Sequence, residues 1–507
     1  MNVADSNFEG LKRSDMTRAV HAKTVQEYID ETPYWADGTV APSIPMTKMQ
    51  WRIWALASAG KFFEGLVVFM TGVALPLIVK EFQLGALEKG IVGAAPLFGI
   101  LVGATALGSL SDHYGRKRMF IAEMVIFVLC LALLVMSPGY FWLLVFLFGM
   151  GTALGCDYPT AHMVISESIP STDRGKLVLS AFAFQAVGAI AGTAVGFLIL
   201  YNNPTLGAWR WMYATAITPA VLVTVGRFFI PDSSHWLVSK GRIREAEQAI
   251  KKLLFRAPLY PTNISLALPE SRNSRQTSSS RGYAELFRNG NRRATILAAV
   301  PWFLQDLGTY GIGIFTPTIL ATVLGHKAQH ARNLADIICN DMLAAKGAAV
   351  IDVLLLFGIV AAVLLVDRIG RIRLQIFGFI GCAVGLFLAS MSIDTHGSEK
   401  MFFLFTGFML FSFMTNIGPN AMTYLLAGEV FPTHVRGKGA GFAASAAKMG
   451  AVLTAFLFPV LLKDIGTQTL LYILVGTSLV GAFITWRFGI ETKGVSLESI
   501  GGQHPDT

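Results

Sequence analysis

The stretch Glu167-Ser-Ile-Pro170-Ser-Thr-Asp-Arg174-Gly175-Lys176 recurs as Glu429-Val-Phe-Pro432-Thr-His-Val-Arg436-Gly437-Lys438. Glu, Pro, Arg, Gly and Lys hold the same relative places, 429 − 167 = 262 residues apart. A second charged stretch, Asp112-His-Tyr-Gly115-Arg116-Lys-Arg118, returns as Asp367-Arg-Ile-Gly370-Arg371-Ile-Arg373, 367 − 112 = 255 residues on. Two motifs repeated in one order, each set between long apolar runs, describe a chain made of two similar halves.

The 507 residues are 53% hydrophobic and only 14% charged, with a mean hydropathy of +0.55. A soluble chain carries about a quarter charged residues. The apolar content suffices for about twelve spans of roughly 20 to 25 residues, the length at which a helix crosses the hydrocarbon. The fold class is therefore an all-α membrane protein, with twelve transmembrane helices in two pseudo-symmetric six-helix bundles. In a membrane protein, repeated halves usually hold a transport site between them.

A net charge of +9 invites a nucleic-acid reading, but its distribution opposes one. Lys and Arg gather in alternate loops, at 111–118, 168–176, 231–293, 367–373 and 433–438, and thin out in the loops between. This positive-inside pattern puts both termini in the cytoplasm of a multi-pass protein of the cell's inner (plasma) membrane. The loop at 322–346, with Lys327, Arg332 and Lys346, weakens the count without reversing it. Cys130, Cys156 and Cys382 lie in apolar runs and Cys339 in an outer loop, so neither a disulfide nor a metal site is expected. There is no phosphate-cradling loop and no catalytic triad, hence no expected cofactor and no enzyme activity.

Along the chain, residues 1–50 form a polar extension, 51–230 a first six-helix bundle and 231–293 a cytoplasmic linker. Residues 294–487 form the second bundle and 488–507 a tail. Predicted helices run near 52–79, 90–110, 118–137, 141–166, 174–201 and 211–230. The second six run near 294–321, 347–366, 374–393, 401–427, 437–462 and 466–487. In the linker, 242–254 has helical composition.

Charges inside apolar runs mark candidate function. A charged residue at a helix centre costs roughly 2.5–3.5 kcal/mol on insertion scales. Glu64, Asp157, Asp306 and Lys448 lie on four predicted helices and are expected to meet in a central cavity. The competing reading is a buried Asp306–Lys448 pair that only fastens helices. Trp302, Asp306 and Tyr310, four apart, share a helical face and flank one acid with aromatic walls. Tyr158 and Asn420 each stand nine residues before their half's repeated Glu (167 − 158 = 429 − 420), at equivalent depths. The repeated motifs read as latches: Asp112, Gly115 and Arg116 with Glu167 and Arg174, then Asp367, Gly370 and Arg371 with Glu429 and Arg436. Each acid is expected to meet a basic group across the inner face.

These motifs resemble the major facilitator superfamily across nearly the whole chain after residue 50. Gly108-Ser-Leu-Ser-Asp112-His-Tyr-Gly115-Arg116-Lys117-Arg118 looks like its loop 2–3 signature. Pro231-Asp-Ser-Ser-His-Trp236-Leu237 and Glu491-Thr-Lys-Gly494-Val-Ser-Leu497-Glu498 resemble the sugar-porter group's end-of-half motifs. A narrower resemblance is to the phosphate:proton symporter branch. It rests on Gly155-Cys-Asp157-Tyr158-Pro159, Gln185, the Trp302–Asp306–Tyr310 face, Gly418-Pro419-Asn420, Lys448 and the helix 3 acid Glu123. Helix 1 departs from that branch, with Glu64-Gly-Leu-Val67 where the branch has Asp-x-x-Asp, and Cys156 replaces a glycine.

The resemblance implies a monomeric carrier whose partners are a small-molecule substrate, protons and lipid. Its implied substrate shell is Tyr158, Gln185, Trp302, Asp306, Tyr310, Asn420 and Lys448. Lys448 supplies positive charge and the others donate hydrogen bonds, Asp306 included when protonated. Proton-coupled uptake of a small anion, inorganic phosphate first, follows as the expected function. Asp306 is its principal coupling acid, with Glu64, Glu123 and Asp157 on the proton route. An organic acid or another metabolite is the alternative substrate, and a nutrient sensor that binds without transporting is the alternative class.

Overall fold

The computed structural model describes residues 23–32, 44–107, 113–171, 174–255, 264–266, 283–324, 334–432 and 435–493. Among them are twelve long helices. The first bundle comprises α1 (Lys48–Glu81), α2 (Ala86–Val102, continued by a π-turn at Gly103–Leu107), α3 (Arg116–Val135), α4 (Tyr140–Ser166), α5 (Arg174–Asn202) and α6 (Ala208–Phe228). The second comprises α7 (Asn289–Leu324), α8 (Leu334–Ile369), α9 (Arg371–Met391), α10 (Gly397–Ile417, resuming at Pro419–Glu429), α11 (Arg436–Asp464) and α12 (Gly466–Phe488).

Ten of the twelve are long and apolar enough to cross a membrane; α6, with Arg210 and Arg227 near its ends, and α7, with Asp306 in mid-helix, are the other two. One boundary differs from expectation. The outer loop read at 322–346 is largely helix, because α8 begins at Leu334 and also includes Cys339. Hydropathy marks only the apolar part of a helix, and the segment from Leu334 to Lys346 is rich in helix-forming residues.

The repeat is visible in the backbone. Gly115 and Gly370 cap α3 and α9 with φ of 99° and 97°, a left-handed conformation that glycine adopts without a Cβ penalty. Within the bundles α1 packs along α5 and α7 along α11; between them, α2 meets α11, α5 meets α8 and α1 meets α7. The core therefore forms around α1, whose flanks are buried from Phe63 to Ile78.

The α10 break follows from its sequence. Pro419 has no N–H for the helical ladder but suits the first turn of a new helix. Ahead of α1, Thr47 and Gln50 form a capping box, and Gln50 Nε2 donates to Ser168 O at 2.8 Å. In the linker, short helices at Ser234–Ser239 and Ile243–Leu253 pack under the first bundle with the helix Val25–Asp30 of the polar extension. All of these lie on the face that carries the repeated motifs.

Candidate functional site

The site is a buried charge cluster on the seam between the bundles. From α1 come Lys61 and Glu64, from α7 Asp306 and Tyr310, and from α11 Lys448, each at most 7% exposed. Lys448 Nζ lies 3.4 Å from Glu64 Oε1, 3.4 Å from Asp306 Oδ2 and 2.7 Å from the Tyr310 hydroxyl. Tyr310 in turn donates to Glu64 Oε1 at 2.8 Å. Lys61 Nζ holds the other Glu64 oxygen at 3.1 Å, and Gln185 Nε2 of α5 donates to the Tyr310 oxygen at 3.3 Å. Gln185 Oε1 is buried without a hydrogen-bond partner. Glu64 thus joins the first bundle to the second through Lys448 and Tyr310. Two lysines face two carboxylates, a formally neutral set.

Asp157 does not join this cluster, contrary to the expectation that four charges would meet. It belongs to a second one inside the first bundle, around the fully buried Arg227 of α6. Arg227 NH2 donates to Asp157 Oδ1 at 2.7 Å, and NH1 donates to Glu123 Oε1 at 2.9 Å and Phe120 O at 2.6 Å. The guanidinium lies 3.4 Å from the centre of the Phe120 ring. Two acids on one arginine leave a formal charge of −1. The two clusters adjoin at Gly60, the residue before Lys61. A Cβ there would stand 1.6 Å from Asp157 Oδ2, so glycine leaves the space that the Asp157 carboxylate occupies against α1.

The remaining predicted residues fall around the cluster. Trp302 is buried one turn from Asp306 and sets its ring edge-on to Tyr424, centroids 6.1 Å apart. Tyr424 stacks on Phe182 of α5 at 4.7 Å and meets His162 of α4 at 6.3 Å. This aromatic layer crosses the seam between the charge cluster and the motif face. Asn420 turns instead to the α10 break, donating to Asn416 Oδ1 at 2.6 Å, while Asn416 donates to Leu355 O of α8. The Tyr158 side chain lies outside the described residues.

On the motif face the two halves build matching clamps. In the first, Arg116 reaches Glu167 at 3.4 Å, Ser233 hydrogen-bonds Glu167, and Asp232 accepts from the Lys117 N–H. In the second, Arg371 reaches Glu429 at 3.3 Å, Thr492 donates to Glu429, and Glu491 accepts from the Arg371 N–H. Among the described residues, these acids pair with Arg116 and Arg371 of their own half. Arg436 Nε donates to Phe431 O, and Asp367 pairs with Arg371 at 3.2 Å. Asp112 and the Arg174 side chain lie outside the described residues. Beside the second clamp a cleft opens between Lys176 and Leu179 of α5 and Asp367, Arg371, Leu425 and Glu429 of the second bundle.

Sequence reasoning missed Lys61, Arg227 and Tyr424. The first two were detectable, since each is a charge inside a predicted apolar helix, the criterion that singled out the acids. Tyr424 carries no such signal.

Comparison with known proteins places this architecture. Residues 53–502 match the family described as Sugar (and other) transporter. A putative metabolite transport protein of Escherichia coli, YaaU, is 29% identical over 448 residues, covering 88% of this chain and 93% of the relative. A putative inorganic phosphate transporter of Schizosaccharomyces pombe is 26% identical over 551 residues, covering 95% and 92%. In structure, the xylose transporter XylE from E. coli in a partially occluded inward-open conformation superposes with a TM-score of 0.70 at 20% identity, covering 89% of this chain and 100% of that one. The chain is a multi-pass member of the Sugar (and other) transporter family, within the major facilitator superfamily.

Proposed function

We propose that this protein carries a small anion together with protons by alternating access, inorganic phosphate being the first-choice substrate. The observation that carries the reading is Lys448 of the second bundle held by Glu64 of the first, with Asp306 and Lys61 completing a neutral set. A buried net charge is costly, and removing one member of a buried pair is strongly unfavourable. An anion entering alone makes the set negative; a proton entering alone makes it positive. Both together leave it neutral. Proton uptake on Asp306 converts an acceptor into a donor and frees Lys448 for the incoming anion, while Tyr310 and Gln185 supply further donors. Because the set spans both bundles, rocking about the α2–α11 and α5–α8 contacts remakes it in each state.

The Arg227 cluster supports a proton reservoir beside the site, since two acids share one cation. The matching clamps act as gate elements at the face expected to be cytoplasmic, and the aromatic layer at Tyr424 closes the site from that side. Similarity to a putative inorganic phosphate transporter agrees with the phosphate choice. An organic acid offers the same lysines a carboxylate, and similarity to a putative metabolite transport protein keeps it as the second reading.

Purified protein in proteoliposomes with an alkaline interior should take up labelled phosphate, and collapse of the pH gradient should abolish accumulation. Unlabelled carboxylates, sugars and amino acids serve as competitors. Phosphate neither transported nor competing would remove it as substrate. Uptake indifferent to the gradient would refute proton coupling, and saturable binding without counterflow would favour a sensor.

A further inference from the structure

α8 carries two acids that the proposed mechanism leaves unused. Asp341 and Asp352 are 3% and 4% exposed, and each has a buried Oδ2 without a hydrogen-bond partner. They stand eleven residues apart, three turns of helix, on the same side of α8. Their surroundings differ. Asp341 lies near the end of α8 remote from the motif face, in the field of Lys89 from α2, which also reaches Thr318 of α7 at 3.5 Å. That acid has a compensating cation. Asp352 has none: α1, α5, α7, α9 and α10 all pack on α8, yet the one side chain that interacts with its carboxyl among the described residues is Thr193 of α5.

Thr193 has a single hydroxyl hydrogen, and it is directed at backbone carbonyls of its own helix, Ala189 O at 3.0 Å and Ile190 O at 3.1 Å. Thr193 therefore gives Asp352 a polar neighbour but no charge, and Asp352 Oδ2 stays buried without a hydrogen-bond partner. An ionised Asp352 would also be an unpaired charge in the apolar seam between the bundles. We propose that Asp352 is a proton-binding residue on the α5–α8 seam, loaded in the conformation described and released when α5 and α8 slide to admit water. This adds a state-dependent proton site to the central cluster. Its contribution to transport rests on the proton-coupled reading above; its protonation does not.

Two measurements separate those claims. Infrared spectroscopy of the protein in lipid should show a protonated-carboxyl band at neutral pH that is missing in Asp352→Asn. In proteoliposomes, Asp352→Asn should keep substrate counterflow while the proton-to-substrate ratio, read from the reversal potential, falls by about one. Identical bands in wild type and Asp352→Asn, or an unchanged ratio with normal uptake, would overturn the proposal. Wild-type uptake that moves no protons would instead remove the coupling reading, with the infrared band still deciding whether Asp352 holds a proton.

Discussion

Lys448→Met tests the charge balance of the central cluster most directly. The ammonium lies 3.4 Å from each of two carboxylate oxygens. At an effective dielectric of about 20, each contact is worth roughly 5 kcal/mol before desolvation. Desolvation returns most of this, and breaking a buried pair by removing one partner costs about 3–5 kcal/mol. The variant leaves Lys61 facing Glu64 and Asp306, a set of charge −1. Asp306→Asn alone leaves charge +1, and the double variant returns to zero. If neutrality governs the cluster, the double variant is more stable than the sum of the single effects predicts, by about 1–3 kcal/mol. The assay is unfolding of all four proteins in one detergent at neutral pH, alongside anion binding. Binding should be lost in both Lys448 variants even where stability recovers, because the cation itself is gone. A coupling free energy indistinguishable from zero would refute the reasoning.

Four further outcomes are expected. Asp306→Asn should abolish gradient-driven accumulation but keep counterflow; loss of counterflow as well would place Asp306 in binding rather than coupling. Arg227→Gln strands Glu123 and Asp157 and should cost about 3–5 kcal/mol, with partial recovery in Arg227→Gln/Glu123→Gln; an unchanged unfolding midpoint would show the triad to be dispensable. Tyr424→Ala removes a stack worth about 0.5–1.5 kcal/mol, so a cysteine placed at Gln185 should react roughly two- to tenfold faster with reagents added at the motif face. Glu429→Gln loosens one clamp, a partly exposed pair worth about 0–1 kcal/mol, and should shift single-molecule distances between the bundles only slightly. A large shift there would mean that the clamp controls the rocking equilibrium directly.

The charged motifs show why some contacts were legible and others were not. Duplication placed Glu167 and Glu429 at the same face, and the structure keeps them there. The motifs offered each acid two arginines, one per repeated stretch, and among the described residues three-dimensional proximity selects Arg116 and Arg371. Likewise Asp157 and Asp306 are indistinguishable as acids in apolar runs. One faces Arg227 inside a bundle and the other Lys448 at the seam.

What the sequence determined by itself was the lipid-facing solution: helices of membrane-spanning length, their division into six and six, and the restriction of ionisable groups to protected positions. These follow from a solvent that satisfies no backbone or charge, a constraint each helix meets alone. What only the tertiary structure decided was partnership. Whether Glu64 pairs with Lys61, Lys448 or both depends on how α1, α7 and α11 rotate against one another, and a rotation of one residue, about 100°, exchanges the facing side chains. Helix rotation is fixed by packing across hundreds of residues, such as the approach of the α5 backbone at Gln185 to Gly65 of α1, which no local pattern encodes.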